Sequence, residues 1–275
     1  MSSSSDLLRL LKKYNITLRA ELDQEHIVDR NLIFEMMDIA KVCKDDVVLE
    51  VGAGMGNITD LISKVARHVY AVEKYRQFEP ILRDRLKGRH NVEIIFDNIL
   101  NIRLPFFDKI VSNPPFSICE SLVQKLIHSN FQLGALIVPM SFAQNITAKT
   151  DDPKASKLAI LASAFYDMNI EKTIEPDAFY PAPDFRCTLL KLMPYDTKDL
   201  TVLVTRHLFL QRDKKSKNAL RMALIDAHRF CDTAISKLEA RRIVDTLNLE
   251  PSIKEMKIGA LSKDQILRII RALRN

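Results

Sequence analysis

The feature that most constrains the fold is an alternation of short apolar segments with segments of helical periodicity. The apolar segments predict β-strands at residues 46–52, 68–74, 91–98, 107–113 and 133–140. Helical periodicity is found in the segments around them, at residues 31–42, 57–66, 77–88 and 120–129, with Asn31 as the expected N-cap of the first. Strands that are almost continuously apolar and are joined by helices predict an α/β fold with a mostly parallel, doubly wound, Rossmann-like sheet.

The chain changes character after a sixth apolar segment at residues 185–193. We therefore expect a first domain at residues 1–195, with a basic helical lead-in at 1–22, and a small, mostly helical domain at 196–275. Residues 196–275 carry 17 Lys and Arg against 10 Asp and Glu, a net charge of 17 − 10 = +7, whereas the net charge of the whole chain is +6. This local excess favours a polyanionic partner such as nucleic acid, although a solvated helical surface would have the same composition.

Several classes of protein are disfavoured by the sequence. No stretch approaches the roughly 18 apolar residues of a membrane span, and the start "MSSSSDLLRLLKKYN" lacks the pattern of a signal peptide. The four cysteines form no CxxC pair and have no histidine at metal-binding spacing, so we expect reduced thiols and no metal. We expect a cytoplasmic monomer.

A candidate cofactor site begins where the first predicted strand runs into "EVGAGMGN" at residues 50–57. The GxGxG turn from Gly52 would let the backbone approach a ligand closely, but it lacks the GxGxxG spacing of a dinucleotide site. Glu73 ends the second strand, where a carboxylate can bind ribose hydroxyls, and Asp97 ends the third, where it can bind an adenine amino group. No GxxxxGK[ST] loop is present, so the set favours S-adenosylmethionine over NAD or ATP.

The fourth predicted strand ends in Asn113-Pro114-Pro115-Phe116. The Asn113 side-chain oxygen and the Pro114 carbonyl could accept hydrogen bonds from an aromatic amine and stabilise the positive charge that develops during methyl transfer. Phe116 could stack on the flat ring of the base, which is worth roughly 1–3 kcal/mol. A simple strand-ending proline turn over a packed phenylalanine is the structural alternative.

These segments together resemble the ribosomal RNA adenine dimethyltransferase family, which is related to the erythromycin-resistance rRNA methylases. "LDQEHIVDRNLI" is similar to the family's LGQxFLxDxxxI, "VVLEVGAGMGNIT" to its cofactor loop, and "VEIIFDNIL" to its adenine contact. "IVSNPPF" is similar to its N[LI]P[YF], and "DAFYPAPDFRCTLLKL" to its FxPxPxVxSxxVxL. "QRDKKSKNALRMAL" resembles the basic helix that begins the family's C-terminal domain.

The resemblance implies a class I methyltransferase fold, S-adenosylmethionine as cofactor, and small-subunit rRNA or a pre-ribosomal particle as partner. It assigns Phe179 a place near the target base. The implied cofactor contacts are Ile27, Gly52, Ala53, Gly54, Glu73, Asp97 and Asn113. We expect the basic C-terminal module to bind RNA phosphates through Arg206, Arg212, Lys214, Lys215, Lys217 and Arg221.

Some positions depart from the family pattern. Asp23 replaces a glycine, His26 a phenylalanine, and Pro114 a leucine or isoleucine. The resemblance implies an adenine amine as the target, and these departures keep a cytidine amino dimethyltransferase as the alternative. A protein glutamine methyltransferase, a DNA amino methyltransferase and a non-catalytic ribosome-assembly factor are further alternatives. The basic C-terminal segment argues against a protein methyltransferase, and the absence of a large target-recognition domain argues against a DNA methyltransferase. The intact cofactor pattern argues against a non-catalytic ribosome-assembly factor.

Overall fold

The computed structural model describes residues 3–19, 23–127, 129–148, 156–195, 199–231 and 233–274. The chain forms two compact units, Met1–Thr147 with Asp167–Pro194, and Ala148–Tyr166 with Tyr195–Asn275. This division differs from the predicted boundary after residue 195, because residues 148–166 join the second unit. Ile160 shows the reason, since its side chain is fully buried in the apolar core of that unit.

Seven strands form one sheet in the order β4-β3-β2-β5-β6-β9-β7, and β1 and β8 form a separate antiparallel pair. The strands are β1 (His26–Ile27), β2 (Val47–Val51), β3 (His68–Glu73), β4 (Val92–Phe96), β5 (Lys109–Ser112), β6 (Leu133–Pro139), β7 (Tyr166–Ile174), β8 (Phe179–Tyr180) and β9 (Cys187–Pro194). β2 to β6 pair in parallel, and β9 runs antiparallel to β6. The predicted α/β sheet is confirmed.

β7 was not anticipated from the sequence. Its segment, "YDMNIEKTI", lies at the edge of the sheet, and five consecutive residues in it are exposed. A polar edge strand of this kind lacks the apolar pattern by which the other strands were found.

The helices of the first unit are α1 (Ser3–Lys13), α2 (Arg30–Ile39), α3 (Asn57–Ile62), α4 (Glu79–Arg85), α5 (Cys119–Leu126) and α6 (Met140–Ile146). The prediction of Asn31 as the N-cap of α2 is wrong. Asp29 occupies this position, and its carboxylate accepts a hydrogen bond of 2.9 Å from the backbone N–H of Asn31. The apolar faces of these helices cover the sheet with clusters that include Met36 of α2 and Leu82 of α4, both fully buried.

The second unit is helical, and its helices are α7 (Lys157–Phe165), α8 (Leu200–Phe209), α9 (Ser216–Phe230), α10 (Lys237–Thr246), α11 (Pro251–Glu255) and α12 (Lys263–Arg274). They share one apolar core, to which Leu220 of α9 and Ile266 of α12 contribute fully buried side chains. The predicted helical character of the C-terminal region is confirmed. Among the described residues, no helix is both long and apolar enough to cross a membrane.

Candidate active site

A cleft with about 750 Å³ of empty volume lies where β2, β3, β4 and β5 end. Ligands of open α/β sheets bind at this edge. Five predicted residues line the cleft: Gly52, Gly54, Glu73, Asp97 and Asn113. The structure does not bring Ile27 and Ala53 to this wall, because their side chains are 3% and 5% exposed and belong to the apolar clusters.

The glycine turn after β2 leaves no space for side chains. Gly52 has φ +81°, and a Cβ atom there would lie 3.0 Å from Cδ of Pro115 and 3.3 Å from the carbonyl oxygen of Asn113. Gly54 has φ +52°, and its Cβ atom would lie 2.4 Å from Cε1 of His26. Both positions require glycine for backbone conformation and for space. The turn therefore forms a cradle against which the β1 segment and the segment after β5 pack.

The Glu73 carboxyl group holds the glycine turn in place through hydrogen bonds to the backbone. Its Oε2 atom accepts a 2.8 Å hydrogen bond from the Gly54 N–H, and its Oε1 atom accepts one of 2.7 Å from the Tyr75 N–H. Burial raises the pKa of Glu73, and the backbone hydrogen bonds oppose this change. Each oxygen retains acceptor capacity for a ligand hydroxyl. Asp97 is exposed at the cleft, and its Oδ1 atom accepts a 2.6 Å hydrogen bond from the Asn98 N–H.

Asn113 lines the cleft, and only the nitrogen end of its side-chain amide has a hydrogen-bond partner among the described residues. Its Nδ2 atom donates a 2.7 Å hydrogen bond to the carbonyl oxygen of Glu25, which fixes the amide plane. Its Oδ1 atom is buried and has no hydrogen-bond partner among the described residues. Because an unpaired buried acceptor costs about 1–3 kcal/mol, the arrangement suits a ligand that donates a hydrogen bond there. Pro114, next in the chain, is buried.

The aromatic side chains near Asn113 differ in exposure. The Phe116 ring is partly buried and lies edge-on to Phe179 with ring centroids 6.4 Å apart. Phe179 is 3% exposed and belongs to the apolar core. Phe185 is 40% exposed, and its ring centroid lies 5.6 Å from that of Phe116. Sequence analysis missed Phe185, although it occupies the valine position of the FxPxPxV pattern.

His26 also lines the cleft, packed edge-on against Phe78 at 5.3 Å. Its Nε2 atom is buried without a partner among the described residues. Burial, aided by the charge of Arg85, lowers the pKa of His26 to about 4, so the imidazole is neutral near pH 7. The helix that the sequence predicts to begin at residue 57 is confirmed, because α3 begins at Asn57.

Glu50 is a buried carboxyl group that sequence analysis did not single out. It is fully buried in β2, and its Oε2 atom accepts a 2.6 Å hydrogen bond from the Thr59 hydroxyl. Burial raises its pKa to about 8; the Thr59 hydrogen bond opposes the rise, and the carboxylate of Glu73 adds to it. An acidic residue inside an otherwise apolar strand segment was the available signal.

The family model for ribosomal RNA adenine dimethylases matches residues 15–271. The chain belongs to this family. Its relatives include a Methanosphaera stadtmanae protein named "Probable ribosomal RNA small subunit methyltransferase A", which is 34% identical over 78% of this chain and 82% of its own length. A Pyrococcus furiosus protein of the same name is 30% identical over 96% of this chain and 94% of its own length.

Solved structures show the same fold. A dimethyladenosine transferase from Plasmodium falciparum superposes with a TM-score of 0.60 at 20% identity, over 88% of this chain and 95% of the other. The 23S rRNA methyltransferase ErmE superposes with a TM-score of 0.59 at 17% identity, over 90% of this chain and 99% of the other. The predicted family and the predicted methyltransferase fold are thus confirmed.

One departure from the family pattern has a structural explanation. Asp23, which stands in place of a glycine, has φ +51°, a conformation that favours glycine but that aspartate tolerates better than most residues. Its Oδ1 atom accepts a 3.3 Å hydrogen bond from the Ser117 N–H. The aspartate thereby links the segment before β1 to the segment that follows Asn113.

The six basic residues expected to bind RNA lie in the second unit. Arg206 donates hydrogen bonds to the carbonyl oxygens of Ala164, Phe165 and Tyr195. Of the others, Arg212 and Lys214 are exposed, Lys215 and Lys217 both pair with Glu255, and Arg221 lies 3.7 Å from Asp245. Lys217 and Lys215 lower the pKa of Glu255 to about 2. Their RNA-binding role stays a prediction.

Within the described ranges, no group of three or more His, Cys, Asp or Glu side chains is placed to hold a metal ion.

Proposed function

We propose that this protein is an S-adenosylmethionine-dependent methyltransferase that dimethylates an exocyclic base amine in small-subunit rRNA, with adenine as the first candidate base. The observation that carries the proposal is the buried Oδ1 atom of Asn113 at the end of β5, which has no hydrogen-bond partner in the part of the chain that the structure describes. Family membership supports the reaction class, and the names of the relatives support the rRNA substrate.

The residues of the cleft fit the cofactor. The cradle formed by Gly52 and Gly54 would receive it, Glu73 would accept hydrogen bonds from ribose hydroxyls, and Asp97 would accept one from the adenine amino group. When bound, S-adenosylmethionine supplies an electrophilic methyl group on a sulfonium.

Asn113 would prepare the amine for transfer. The lone pair of an exocyclic amine is delocalised into the base, so the amine is a weak nucleophile. An acceptor fixed by the Glu25 carbonyl at 2.7 Å would bind an N–H hydrogen and favour a tetrahedral nitrogen. The same oxygen, with the Pro114 carbonyl, would stabilise the positive charge that develops on the nitrogen. No strong base is needed, because the product ammonium loses its proton readily.

The target base would stack on exposed aromatic rings. Phe185, which is 40% exposed, and the partly buried Phe116 that it contacts would offer such surface, whereas Phe179 would support Phe116 from the core. The base must be unpaired or flipped out of a helix to reach them.

A cytidine amine is the second candidate target. Pro114, buried directly after the amine acceptor, replaces the leucine or isoleucine of the family pattern. In the proposed complex, a change directly after Asn113 would alter the surroundings of the base amine, and adenine and cytosine differ in size there.

Mass spectrometry of rRNA nucleosides from cells that lack the protein tests the proposal. We expect loss of dimethyladenosine from small-subunit rRNA, restored by the wild-type gene but not by one encoding Asn113→Ala. Loss of dimethylcytidine instead would identify the second candidate. Unchanged levels of both nucleosides would contradict the proposal.

The basic residues of the second unit would contact phosphates of the same RNA, and the cytoplasm is the compartment we propose, since ribosomal subunits are found there. Arg212 and Lys214 are the best placed of the set, because both are exposed.

A further inference from the structure

A second cleft in the first unit lies outside the candidate active site. Side chains of α1, α2, α3 and α4 line it together with Ile27 of β1, and it has about 750 Å³ of empty volume. Apart from Ile27, none of the residues proposed above for the cofactor or the target base lines it. Its polar lining consists of Asp6, Arg9, Arg30, Asn57, Asp60 and Arg85.

The two acidic residues of this cleft already form ion pairs with basic side chains. Asp60 accepts a 2.8 Å hydrogen bond from Lys64 and one of 3.1 Å from Arg89. Asp6 lies 3.4 Å from the guanidinium of Arg9. Two carboxylates thus satisfy three cations, while Arg30 and Arg85 have no carboxylate within 4.0 Å among the described residues. The cleft therefore carries an excess of positive charge.

Arg85 is the most unusual of these cations. It is partly buried, and its Nη1 atom donates a hydrogen bond to Oδ1 of Asn57. The Nδ2 atom of Asn57 in turn donates a 2.9 Å hydrogen bond to the carbonyl oxygen of Ile27, which fixes the amide and the guanidinium together. Burial lowers the pKa of Arg85, and the charge of Arg30 acts in the same direction, against Asp60 and Asp6.

Removing a guanidinium from water is unfavourable unless an anion compensates it. Here a neutral amide orients the guanidinium but supplies no charge. Arginine is suited to phosphate, because its planar group donates paired hydrogen bonds to two oxygens. A phosphodiester carries one negative charge, so it would offset one of the two guanidinium charges while its oxygens accept hydrogen bonds from both groups.

We infer that this cleft binds a backbone phosphate of the RNA substrate through Arg30 and Arg85. The chemistry of the site follows from the cleft itself, and the choice of RNA as the source of the phosphate rests on the proposed function. The site would hold the RNA on the first unit, in addition to the basic residues of the second unit.

The test uses Arg30→Gln and Arg85→Lys in the full chain. Arg83→Gln is the matched control, since Arg83 lies on the same helix as Arg85, is exposed, pairs with Glu79 at 2.6 Å and does not line the cleft. Affinity for a small-subunit rRNA fragment is measured across about 50–200 mM salt. Calorimetric titration with S-adenosylmethionine reports in parallel whether each variant keeps its folded cofactor site.

For Arg30→Gln we expect about tenfold weaker RNA binding and a decrease of about one in the slope of log affinity against log salt. For Arg85→Lys we expect weaker binding with a nearly unchanged slope, because the charge is kept and the paired hydrogen bonds are lost. Arg83→Gln should bind RNA as the wild type does, and all three should bind the cofactor normally.

Wild-type RNA affinity and slope in both cleft variants would overturn the inference and leave the proposed function intact. Failure of the wild-type protein itself to bind rRNA would instead refute the proposed function. Inorganic phosphate is the probe for the other source of the anion. Phosphate binding that Arg30→Gln abolishes, with RNA affinity unchanged, would make this a free-anion site and overturn the RNA assignment.

Discussion

Asn113 shows how the backbone of a residue distant in sequence can orient one side chain. The carbonyl of Glu25 uses the donor end of the amide, so the acceptor end has a fixed direction and no partner among the described residues. The carboxamide is therefore oriented before any substrate arrives, which is the condition for effective stabilisation of developing charge.

We predict that Asn113→Ala lowers the rate of methyl transfer by about 10²–10³-fold, as the loss of one preorganised hydrogen-bonding group does in other enzymes. Cofactor affinity should change little, because the cradle and Glu73 remain. Single-turnover transfer and calorimetric titration with S-adenosylmethionine measure the two quantities. Near-normal transfer would refute the role of this residue.

Phe185 allows a test of which ring meets the base. Phe185→Ala should weaken RNA binding by roughly 5- to 100-fold, the equivalent of a lost base–aromatic stack of about 1–3 kcal/mol. Phe106→Ala is the control, since Phe106 is 69% exposed but lies before the start of β5, whereas the cleft lies at the end of that strand. Equal RNA affinities of the two variants would contradict the stacking role. Phe179→Ala should instead destabilise the fold, because its ring is in the core.

Glu50 makes stability depend on pH in a predictable direction. Its pKa is about 8 in the folded protein against an ordinary value of 4.5, so the folded state keeps a proton that the unfolded state releases. Its contribution is fully present below about pH 4.5 and is lost as pH rises to about 8. The free energy of unfolding of the wild type should therefore fall relative to Glu50→Gln across this range, by an amount on the order of a few kcal/mol.

Urea unfolding at several pH values measures this difference. Glu120→Gln is the control, because Glu120 is exposed on α5. A constant difference between the wild type and Glu50→Gln from pH 5 to pH 8 would show that Glu50 is not protonated in the folded protein.

At the scale of elements, the candidate site depends on three chain segments that meet at the glycine turn. β1 contributes His26, β2 leads into Gly54, and the segment after β5 packs on Gly52. Contacts between segments so distant in sequence leave no local signal, which explains why sequence analysis found His26 only as a departure from the family pattern.

We predict that Gly54→Ala weakens cofactor binding strongly, because the new Cβ atom would meet the His26 ring at 2.4 Å and the backbone has φ +52°. Gly88→Ala measures the cost of a positive φ alone, as a loss of folding stability, since Gly88 has φ +82° with no atom within 4 Å of an added Cβ. The double variant His26→Ala with Gly54→Ala should recover part of the lost affinity. Equal cofactor affinities for Gly54→Ala and the wild type, by calorimetry, would exclude the contact.

At the scale of the whole molecule, the sequence showed the excess of basic residues in the C-terminal region. It did not show which of these side chains can contact an RNA phosphate. Lys215 and Lys217 share Glu255, and Arg206 binds backbone carbonyls. Arg212 is exposed, and no described carboxylate pairs with it. A charge excess thus predicts a surface of a given sign, whereas pairing decides which cations can meet a phosphate.

Arg212→Gln should therefore weaken RNA binding and lower its salt dependence by about one in slope, whereas Lys217→Gln should change both less. The reason is that Lys217 must first give up its ion pair with Glu255. Fluorescence titrations of an rRNA fragment over a range of salt concentrations measure both variants. The reverse order of the two effects would show that the internal ion pair does not limit RNA binding.

The sequence by itself determined the family, the α/β sheet with its parallel strands, and the helical C-terminal region. It did so because apolar periodicity and strand-end motifs are local properties, and because parallel strands bring their carboxyl ends to one edge. Residues at such ends, including Gly52, Glu73 and Asn113, were therefore found together.

Only the tertiary structure decided what depends on contacts between distant segments. The burial of Phe179, the exposure of Phe185, the raised pKa of Glu50 and the pairing of the Arg85 guanidinium with Asn57 rather than with a described carboxylate all belong to this group. Burial and pairing are properties of the packed chain, since desolvation and opposing charges come from residues that the sequence does not place side by side. The same residue types in another packing would have other pKa values, partners and exposed surfaces.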